Sequence, residues 1–231
     1  MSELLSSNDL FDVVFIDAVN GKSLTVADLE HFVDQNIAFR RYGRVLLGGE
    51  VGCTLSHMKC AQALLESDES VAIVFEDDLV LQDREIENLL SSIRDTISSA
   101  GPTIVLFSGD YWFLKKKKFY EKYQLATVIE AVCSQAYMIN RAAAEILLSI
   151  GGEHTADDWS FIKQSGINIL ALYPHIADQN RLDFNTDVSP AYTGFVRKNL
   201  SLKRRLSSYI MAIIKKLLKS LGHFEYKQFK W

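Results

Sequence analysis

Four apolar runs limit the folds that this chain can adopt. They are SVAIVF (70–75), TIVLF (103–107), CSQAYMI (133–139) and INILALYP (167–174). Each run is apolar mainly at consecutive positions rather than at alternate ones, which is typical of a strand that is covered on both faces. Segments with helical periodicity lie between several of these runs. The alternation predicts an α/β fold in which a largely parallel sheet is flanked by helices.

The remaining elements are predicted from turn residues and helical spacing. FDVVFIDAV (11–19) is predicted to be a further strand that ends at Asn20-Gly21. A helix should begin at Gly48-Gly49, because apolar residues recur at helical spacing, at Val51, Leu55, Met58, Ala61 and Leu65. Further helices are expected over 84–98, over 141–150 and after Asp157-Asp158, and an exposed loop or hairpin over 111–123.

Charge is distributed unevenly along the 231 residues. Residues 197–231 contain ten lysines and arginines but one acid, whereas residues 1–196 contain 15 basic and 28 acidic residues. An acidic body followed by a basic tail indicates either two functions or one function performed at a surface. We therefore divide the chain into a main domain (1–196) and a tail (197–231).

The chain contains three cysteines, Cys53, Cys60 and Cys133, and no C-x-x-C pair. Cys53 and Cys60 would lie roughly 10 Å apart along one helix, which is too far for a disulfide. We expect three free thiols that serve as small core residues in a reducing compartment. The N-terminus does not resemble a signal peptide, and no apolar stretch is long enough to span a membrane. These features predict a cytoplasmic protein.

Three consecutive acids, Glu76, Asp77 and Asp78, follow the run SVAIVF directly. Carboxylates this close raise one another's pKa unless a cation neutralises them. Ligands of open α/β sheets bind beyond the carboxyl ends of strands, and strand alternation would send Glu76 and Asp78 to one side. Two such carboxylates can share Mg²⁺ or Mn²⁺, which keeps open positions for phosphate oxygens. The pattern indicates metal-dependent activation of a phosphorylated substrate.

Two other interpretations of these acids are open at this point. A solvated acidic turn after a strand needs no ligand. Receiver domains and phosphatases also place acids at strand ends, so a Mg²⁺-dependent phosphotransfer protein is an alternative. The sequence lacks a phosphate-binding glycine loop with a Lys-Ser/Thr pair, which argues against phosphotransfer.

The surrounding motifs are more specific. GGEVGCTLSHMKC (48–60) precedes VFEDDLV (74–80), and AYMINRAAAEILL (136–148) and ADDW (156–159) follow it. Together with FIDAVNGKSL (15–24), this ordered set resembles glycosyltransferase family 25 of bacterial lipooligosaccharide synthesis, over roughly residues 11–190. The resemblance implies a GT-A-like, Rossmann-like fold. It also implies an inverting transfer of galactose, or a related hexose, from a UDP-sugar to a lipid-linked oligosaccharide acceptor.

The resemblance assigns donor-site roles to the acids and to three other residues. The acids would be the counterpart of the DxD motif: Asp78, with Glu76 or Asp77, would hold Mn²⁺ or Mg²⁺ against the donor diphosphate. The other residues that match family positions at the donor site are Glu50, His57 and Gln179.

An inverting transfer also needs a general base to accept the proton of the acceptor hydroxyl. Asp158, ahead of Asp157, is the candidate, because capping a helix requires one of the two acids and leaves the other available. His175 is a weaker candidate for a metal ligand, since it matches no family motif.

The chain departs from the family at its beginning. Family members open with a β-strand and an Asn-Leu-x-Arg segment, but here MSELLSSNDL alone precedes the Phe-Ile-Asp-Ala-Val segment. The comparison predicts that the first family strand is missing. The alternative function is therefore a non-catalytic, membrane-associated remnant of the family.

The tail contains the segment KRRLSSYIMAIIKKLLKSL (203–221), in which one helical face is apolar. Basic residues cluster off that face, as in a helix that lies in a membrane interface and binds anionic lipids. The alternative is a C-terminal helix whose apolar face packs on the main domain. Nucleic acid is not expected as a partner, because the acidic body repels a polyanion. We expect peripheral attachment to the inner face of the bacterial inner membrane.

Overall fold

A computed structural model describes residues 12–81, 86–179 and 202–226. The helices are α1 (Val26–Phe32), α2 (Gln35–Tyr42), α3 (Gly48–Glu66), α4 (Glu87–Ile97), α5 (Arg141–Ser149), α6 (Trp159–Gln164) and α7 (Leu202–Ser220). The strands are β1 (Val71–Phe75), β2 (Leu79–Leu81), β3 (Thr103–Leu106), β4 (Asp110–Tyr120), β5 (Tyr123–Val132), β6 (Ala136–Asn140), β7 (Asn168–Tyr173), β8 (Ala177–Gln179) and β9 (Phe224–Glu225).

Seven strands form one mixed sheet in the order β1-β6-β3-β7-β5-β4-β9, and β2 pairs with β8 separately. The predicted α/β class is confirmed, but the prediction of a largely parallel sheet is wrong. Within the described ranges β3 and β7 pair in parallel, and the other five ladders of this sheet are antiparallel. β1, β3 and β7 do run in one direction, but β6 lies antiparallel between β1 and β3.

The error has a simple physical cause. β6 is buried at all five of its positions, because helices cover both faces of the sheet centre. A continuous apolar run reports burial on both faces and carries no information about strand direction.

Side chains of alternating strand residues form the two halves of the core. Ile104 and Leu106 of β3 pack on one face with residues of α3, α5 and α6. Val105, together with Phe107 just beyond the strand, packs on the other face with α4. The predicted helices at α3, α4, α5 and α6 are confirmed. The buried face of α3 is rotated from the predicted stripe, since it includes Glu50, Thr54 and His57.

Residues 12–19 do not form the predicted strand, and this prediction is wrong for the described part of the segment. Val14 and Phe15 are exposed, so these β-prone residues lack the packed neighbours that stabilise a strand. The end of this segment packs on α3, because Val19 N donates a hydrogen bond to Ser56 Oγ at 2.9 Å. A Cβ atom at Gly52 would lie 2.6 Å from Val19 O, so the glycine permits this close approach.

Residues 110–132 form a long hairpin of β4 and β5 within the sheet, in agreement with the hairpin alternative for 111–123. The lysine run lies on β4, and the aliphatic stem of Lys116 is half-buried. Lys116 Nζ lies 2.7 Å from Glu225 Oε1 and 3.6 Å from the ring centre of Tyr173. This ion pair links the hairpin to β9.

The C-terminal segment returns to the main sheet. β9 pairs with β4, and α7 contacts the body through buried Leu218 and through Lys215, whose Nζ lies 2.5 Å from Glu130 Oε1. The predicted boundary at 196/197 lies outside the described residues. None of the helices in the described ranges is long and apolar enough to cross a membrane.

The apolar stripe of α7 does not pack on the body. Its members are 37–64% exposed, namely Leu206, Tyr209, Ile210, Ile213, Ile214, Leu217 and Leu221. The alternative in which this stripe packs on the main domain is therefore wrong.

Candidate functional site

The chain turns sharply after β1, at the edge where β1, β3 and β7 end. Glu76 N donates to Gln135 O at 2.9 Å, and Leu79 N donates to Glu76 O at 3.3 Å. The alternation of side chains along β1 therefore stops at Phe75, and it does not direct the side chains of Glu76 and Asp78 to one side of the sheet. Asp77 is exposed on this turn, and Asp78 is half-buried.

Glu76 points towards α3 and the start of β6. Its Oε1 lies 3.2 Å from His57 Nε2 and accepts a hydrogen bond of 2.8 Å from Ser134 Oγ. The other ring nitrogen of His57, Nδ1, lies 2.9 Å from the hydroxyl of Tyr137, which is buried on β6. His57 thus connects α3 with the end of β1 and with β6.

Cys53 lies one turn before His57 on the same face of α3. Cys53, His57 and Glu76 each place a metal-binding atom within 4.8 Å of the other two. Burial, and after it the charges of Glu76, Asp157 and Glu50, raise the pKa of the Cys53 thiol to about 12. The thiol is therefore protonated at neutral pH. All three cysteines are free, as expected, but Cys53 is part of this polar cluster rather than of the core.

Glu50 is buried at the N-terminus of α3. Arg44 binds it with two hydrogen bonds, from Nη1 to Oε2 at 2.7 Å and from Nη2 to Oε1 at 2.6 Å. Leu47 N also donates to Oε2 at 2.9 Å. Both oxygens thus accept hydrogen bonds within the fold, so these contacts position α3. A donor-binding role for Glu50 stays a prediction.

The adjacent acids before α6 have different surroundings. Asp158 caps α6 by accepting from Phe161 N at 3.1 Å. Its Oδ2 accepts a hydrogen bond of 2.7 Å from the Tyr42 hydroxyl and lies 3.6 Å from Arg41 Nη1. Burial and the charge of Asp158 raise the pKa of Tyr42, so Tyr42 remains a donor. The side chain of Asp158 therefore makes more contacts within the fold than that of Asp157.

Asp157 lies beside the connection between β5 and β6. Its Oδ2 accepts a long hydrogen bond of 3.5 Å from Cys133 N. Cys133 has φ = 78°, which is uncommon for a residue other than glycine and costs about 1–3 kcal/mol. Trp159 Nε1 donates to Cys133 O at 2.8 Å and helps to hold this conformation. The strained residue immediately precedes Ser134, which binds Glu76.

The short β2–β8 ladder brings the last predicted donor-site residue near the acids. Gln179 pairs with Leu79, the residue that follows Asp78. His175 lies between β7 and β8, with its ring 5.5 Å from that of Tyr111. In the described residues it is not a member of a three-residue metal-binding group, and its metal role stays a prediction.

The sequence pattern of one known family, described as "Glycosyltransferase family 25 (LPS biosynthesis protein)", matches residues 1–159. The chain belongs to glycosyltransferase family 25. The match to family 25 includes α3, the acids after β1 and Asp157-Asp158, and it ends before Gln179 and α7.

The family 25 chain also resembles a curated protein of Rattus norvegicus, named "Probable inactive glycosyltransferase 25 family member 3". The two are 33% identical over 84 residues, which are 34% of this chain and 15% of the rat protein. The aligned segment therefore spans a small part of that relative.

Sequence reasoning placed Glu76, His57 and Asp157 in the site of this family 25 protein, and the structure brings them together. It missed Cys53, Ser134 and Tyr137. A signal for Cys53 was available in its spacing of four residues from His57, which puts both on one helical face. Ser134 and Tyr137 have no local signal, because β6 reaches Glu76 through sheet pairing.

Proposed function

We propose that this family 25 protein transfers a hexose, with galactose as the expected sugar, from a UDP-sugar to a lipid-linked oligosaccharide of the lipopolysaccharide type. The observation that carries the proposal is the position of Glu76, Asp77 and Asp78 at the sheet edge where β1 and β3 end, with Glu76 held there by His57 and Ser134. Ligands of α/β sheets bind beyond this edge. A GT-A-like donor site, with inversion at the sugar carbon, is part of the proposal.

The acids after β1 have the chemistry that a divalent cation requires. Asp77 is exposed, Asp78 is half-buried, and the Glu76 side chain is 28% exposed, so two of the three acids are at least partly accessible from solvent. Carboxylate oxygens are preferred ligands of Mn²⁺ and Mg²⁺. Asp78, with Glu76 or Asp77, would hold the ion. The bound ion would offset the negative charge that develops on the departing nucleoside diphosphate.

The general base of the proposed reaction is Asp157, which replaces Asp158 as the preferred candidate. A useful base must accept a proton readily. Asp158 Oδ2 accepts a short hydrogen bond from Tyr42 and lies near the Arg41 guanidinium, and its Oδ1 caps α6, so both oxygens are engaged within the fold. In the described residues the Asp157 side chain accepts one long hydrogen bond, from Cys133 N, next to Ser134, which binds Glu76.

The other predicted site residues have positioning roles in this proposal. His57 and Ser134 orient the Glu76 carboxylate. Glu50 fixes the start of α3 through Arg44. The backbone register places Gln179 beside the acids, in keeping with a donor-binding role.

Isothermal titration with UDP in the presence and absence of Mn²⁺ tests the donor site, and a transfer assay with a lipid-linked acceptor tests the reaction. We expect Mn²⁺-dependent binding of UDP that Asp77→Ala/Asp78→Ala abolishes. Ser207→Ala is a suitable control, because this residue lies on exposed α7. Absence of UDP binding by the folded wild-type protein would overturn the proposal.

The alternative is a non-catalytic family member. It is favoured by the similarity to a rat protein whose name describes it as probably inactive. The same titration separates the two functions, since a remnant without a donor site would bind the acceptor glycan without binding UDP.

We also propose that α7 attaches the protein to an anionic membrane as a peripheral protein. Its exposed apolar stripe supports this, because contiguous apolar surface on a soluble domain marks an interaction site. Arg205, Lys216 and Lys219 are exposed on the same helix, and each basic residue near an anionic leaflet contributes about 1 kcal/mol. Attachment would bring the site to a lipid-linked acceptor. The inner face of the bacterial inner membrane is the expected location.

A further inference from the structure

The cluster at α3 contains donor atoms of three kinds. Cys53 offers sulfur, His57 offers an imidazole nitrogen and Glu76 offers carboxylate oxygens, all within 4.8 Å of one another. Oxygen ligands alone suit Mg²⁺ and Mn²⁺, whereas a thiolate and an imidazole favour a softer ion such as Zn²⁺. The donor set therefore differs from the one expected for the metal of a sugar nucleotide.

We propose that Cys53, His57 and Glu76 form a zinc site with three protein ligands and an open fourth position. Two of the ligands, Cys53 and His57, are four residues apart on one helix, so both project from the same face of α3. The third arrives from the end of β1. A zinc ion bound there would join α3 to the sheet.

The distance between the ligand atoms of His57 and Glu76 fits tetrahedral zinc, and the Cys53 sulfur lies within 4.8 Å of both. With Zn–N and Zn–O bonds of about 2.0–2.1 Å, a tetrahedral angle separates the two ligand atoms by roughly 3.4 Å. His57 Nε2 and Glu76 Oε1 are 3.2 Å apart. The side chain of Glu76 is 28% exposed and Cys53 is half-buried, so an ion and a fourth ligand can reach the cluster from solvent.

The surroundings supply the outer contacts that zinc ligands require. The ring nitrogen of a zinc-bound histidine that faces away from the metal needs a hydrogen-bond partner, which fixes the tautomer. His57 Nδ1 has such a partner in the Tyr137 hydroxyl at 2.9 Å. Ser134 Oγ orients the Glu76 carboxylate in the same way.

A hydrogen bond between His57 and Glu76 explains part of the cluster without an ion, but it does not explain the thiol. The Cys53 sulfur lies within 4.8 Å of a Glu76 carboxylate oxygen as well as of a His57 ring nitrogen, so a thiolate at this position would be repelled by the Glu76 carboxylate. A divalent cation would turn the repulsion among these groups into attraction. Zinc binding would displace one proton, from the thiol to solvent, and leave a zinc-bound thiolate.

This inference goes beyond the proposed transfer and does not depend on it. Zinc would use Glu76, leaving Asp77 and Asp78 for the ion that accompanies the sugar donor. The two sites therefore respond to different substitutions, and each can fail without the other.

The test is titration of the full-length, untagged protein with Co²⁺, followed by competition with Zn²⁺. We expect a thiolate-to-cobalt charge-transfer band in the near-ultraviolet that saturates at one equivalent of Co²⁺ per chain and is lost on displacement by Zn²⁺. Cys53→Ser should abolish the band. Cys60→Ser is the matched control, because Cys60 is a half-buried thiol on the same helix outside the cluster, and it should keep the band.

Two further variants complete the experiment. Tyr137→Phe should raise the Kd for Zn²⁺ about 10–100-fold, as expected for loss of an outer contact. Asp78→Ala should keep the cobalt band even where Mn²⁺-dependent UDP binding is lost. Far-ultraviolet circular dichroism verifies that each variant is folded. The proposal is overturned if the folded wild-type protein gives no band, if the band survives in Cys53→Ser, or if Asp78→Ala removes it.

Discussion

His57 Nε2 lies 3.2 Å from Glu76 Oε1, although the two residues are separated by 19 positions in the chain. The contact joins helix α3 to the turn after β1. It also directs the side chain of Glu76, the first of the three acids, towards α3. Glu76 is thus tied to the fold, whereas Asp77 is exposed on the turn.

Together with the proposed donor site, the difference predicts that Asp77 is functional rather than structural and that Asp78 shares the metal with it. Replacing both with alanine should abolish Mn²⁺-dependent UDP binding and transfer. The melting temperature of Asp77→Ala alone should change little, because Asp77 is exposed. Titration and thermal denaturation measure the two effects. Wild-type turnover of the double variant would mean that these acids do not hold the metal.

The two acids before α6 should respond differently to amide substitution. Asp157→Asn should lower the turnover rate by roughly two to four orders of magnitude with little change in stability, as expected for loss of a general base. Asp158→Asn keeps the helix cap but loses the charge that faces Arg41, so it should cost about 1 kcal/mol of unfolding free energy. Rate assays and urea denaturation compare the variants. A larger rate loss in Asp158→Asn would restore Asp158 as the base.

The buried His154 predicts acid sensitivity of the fold. Burial lowers the pKa of His154 from 6.5 to about 4. Between these values the unfolded chain binds more protons than the folded chain, so the unfolding free energy falls as the pH falls. The total contribution is about 3 kcal/mol, fully present above pH 6.5 and lost towards pH 4. Urea denaturation at several pH values measures it. His154→Gln should show a correspondingly flatter dependence, and an unchanged slope would contradict the prediction.

The exposed stripe of α7 predicts that substitutions in it weaken membrane binding without changing the stability of the fold. Ile213→Ser/Leu217→Ser should reduce sedimentation with anionic liposomes, while the melting temperature stays unchanged because both side chains are exposed. Leu218→Ala is the matched control on the same helix. Leu218 is buried, so its loss should lower the unfolding free energy by about 2 kcal/mol or more. High salt should release the wild-type protein from liposomes. Equal liposome binding by the double variant would exclude the stripe as the membrane contact.

Several elements were predictable because their signals are local. Helix α6 has a carboxylate cap at Asp158 and ends at Gln164, two residues before Gly166, where φ is 102° and glycine is favoured. The apolar run of β1 identified a strand, although only one of its five positions is buried, and the acids that follow it identified the candidate site at the end of that strand. The segment 12–19 shows the limit of local signals. Its β-branched residues favour a strand, but a strand also requires pairing and packing, which propensity does not supply.

The sequence by itself therefore determined the α/β class, most helices and strands, the family motifs and the position of the acids at a strand end. Tertiary structure decided strand direction, because β6 lies antiparallel between β1 and β3. The burial of a strand does not specify which strand it pairs with or in which direction. It also decided the partners of each site residue. Asp157 and Asp158 are adjacent in the chain, yet Tyr42 and Arg41 contact one of them, since α2 packs on that side. Pairwise contacts of this kind form between distant segments, so no local pattern can specify them.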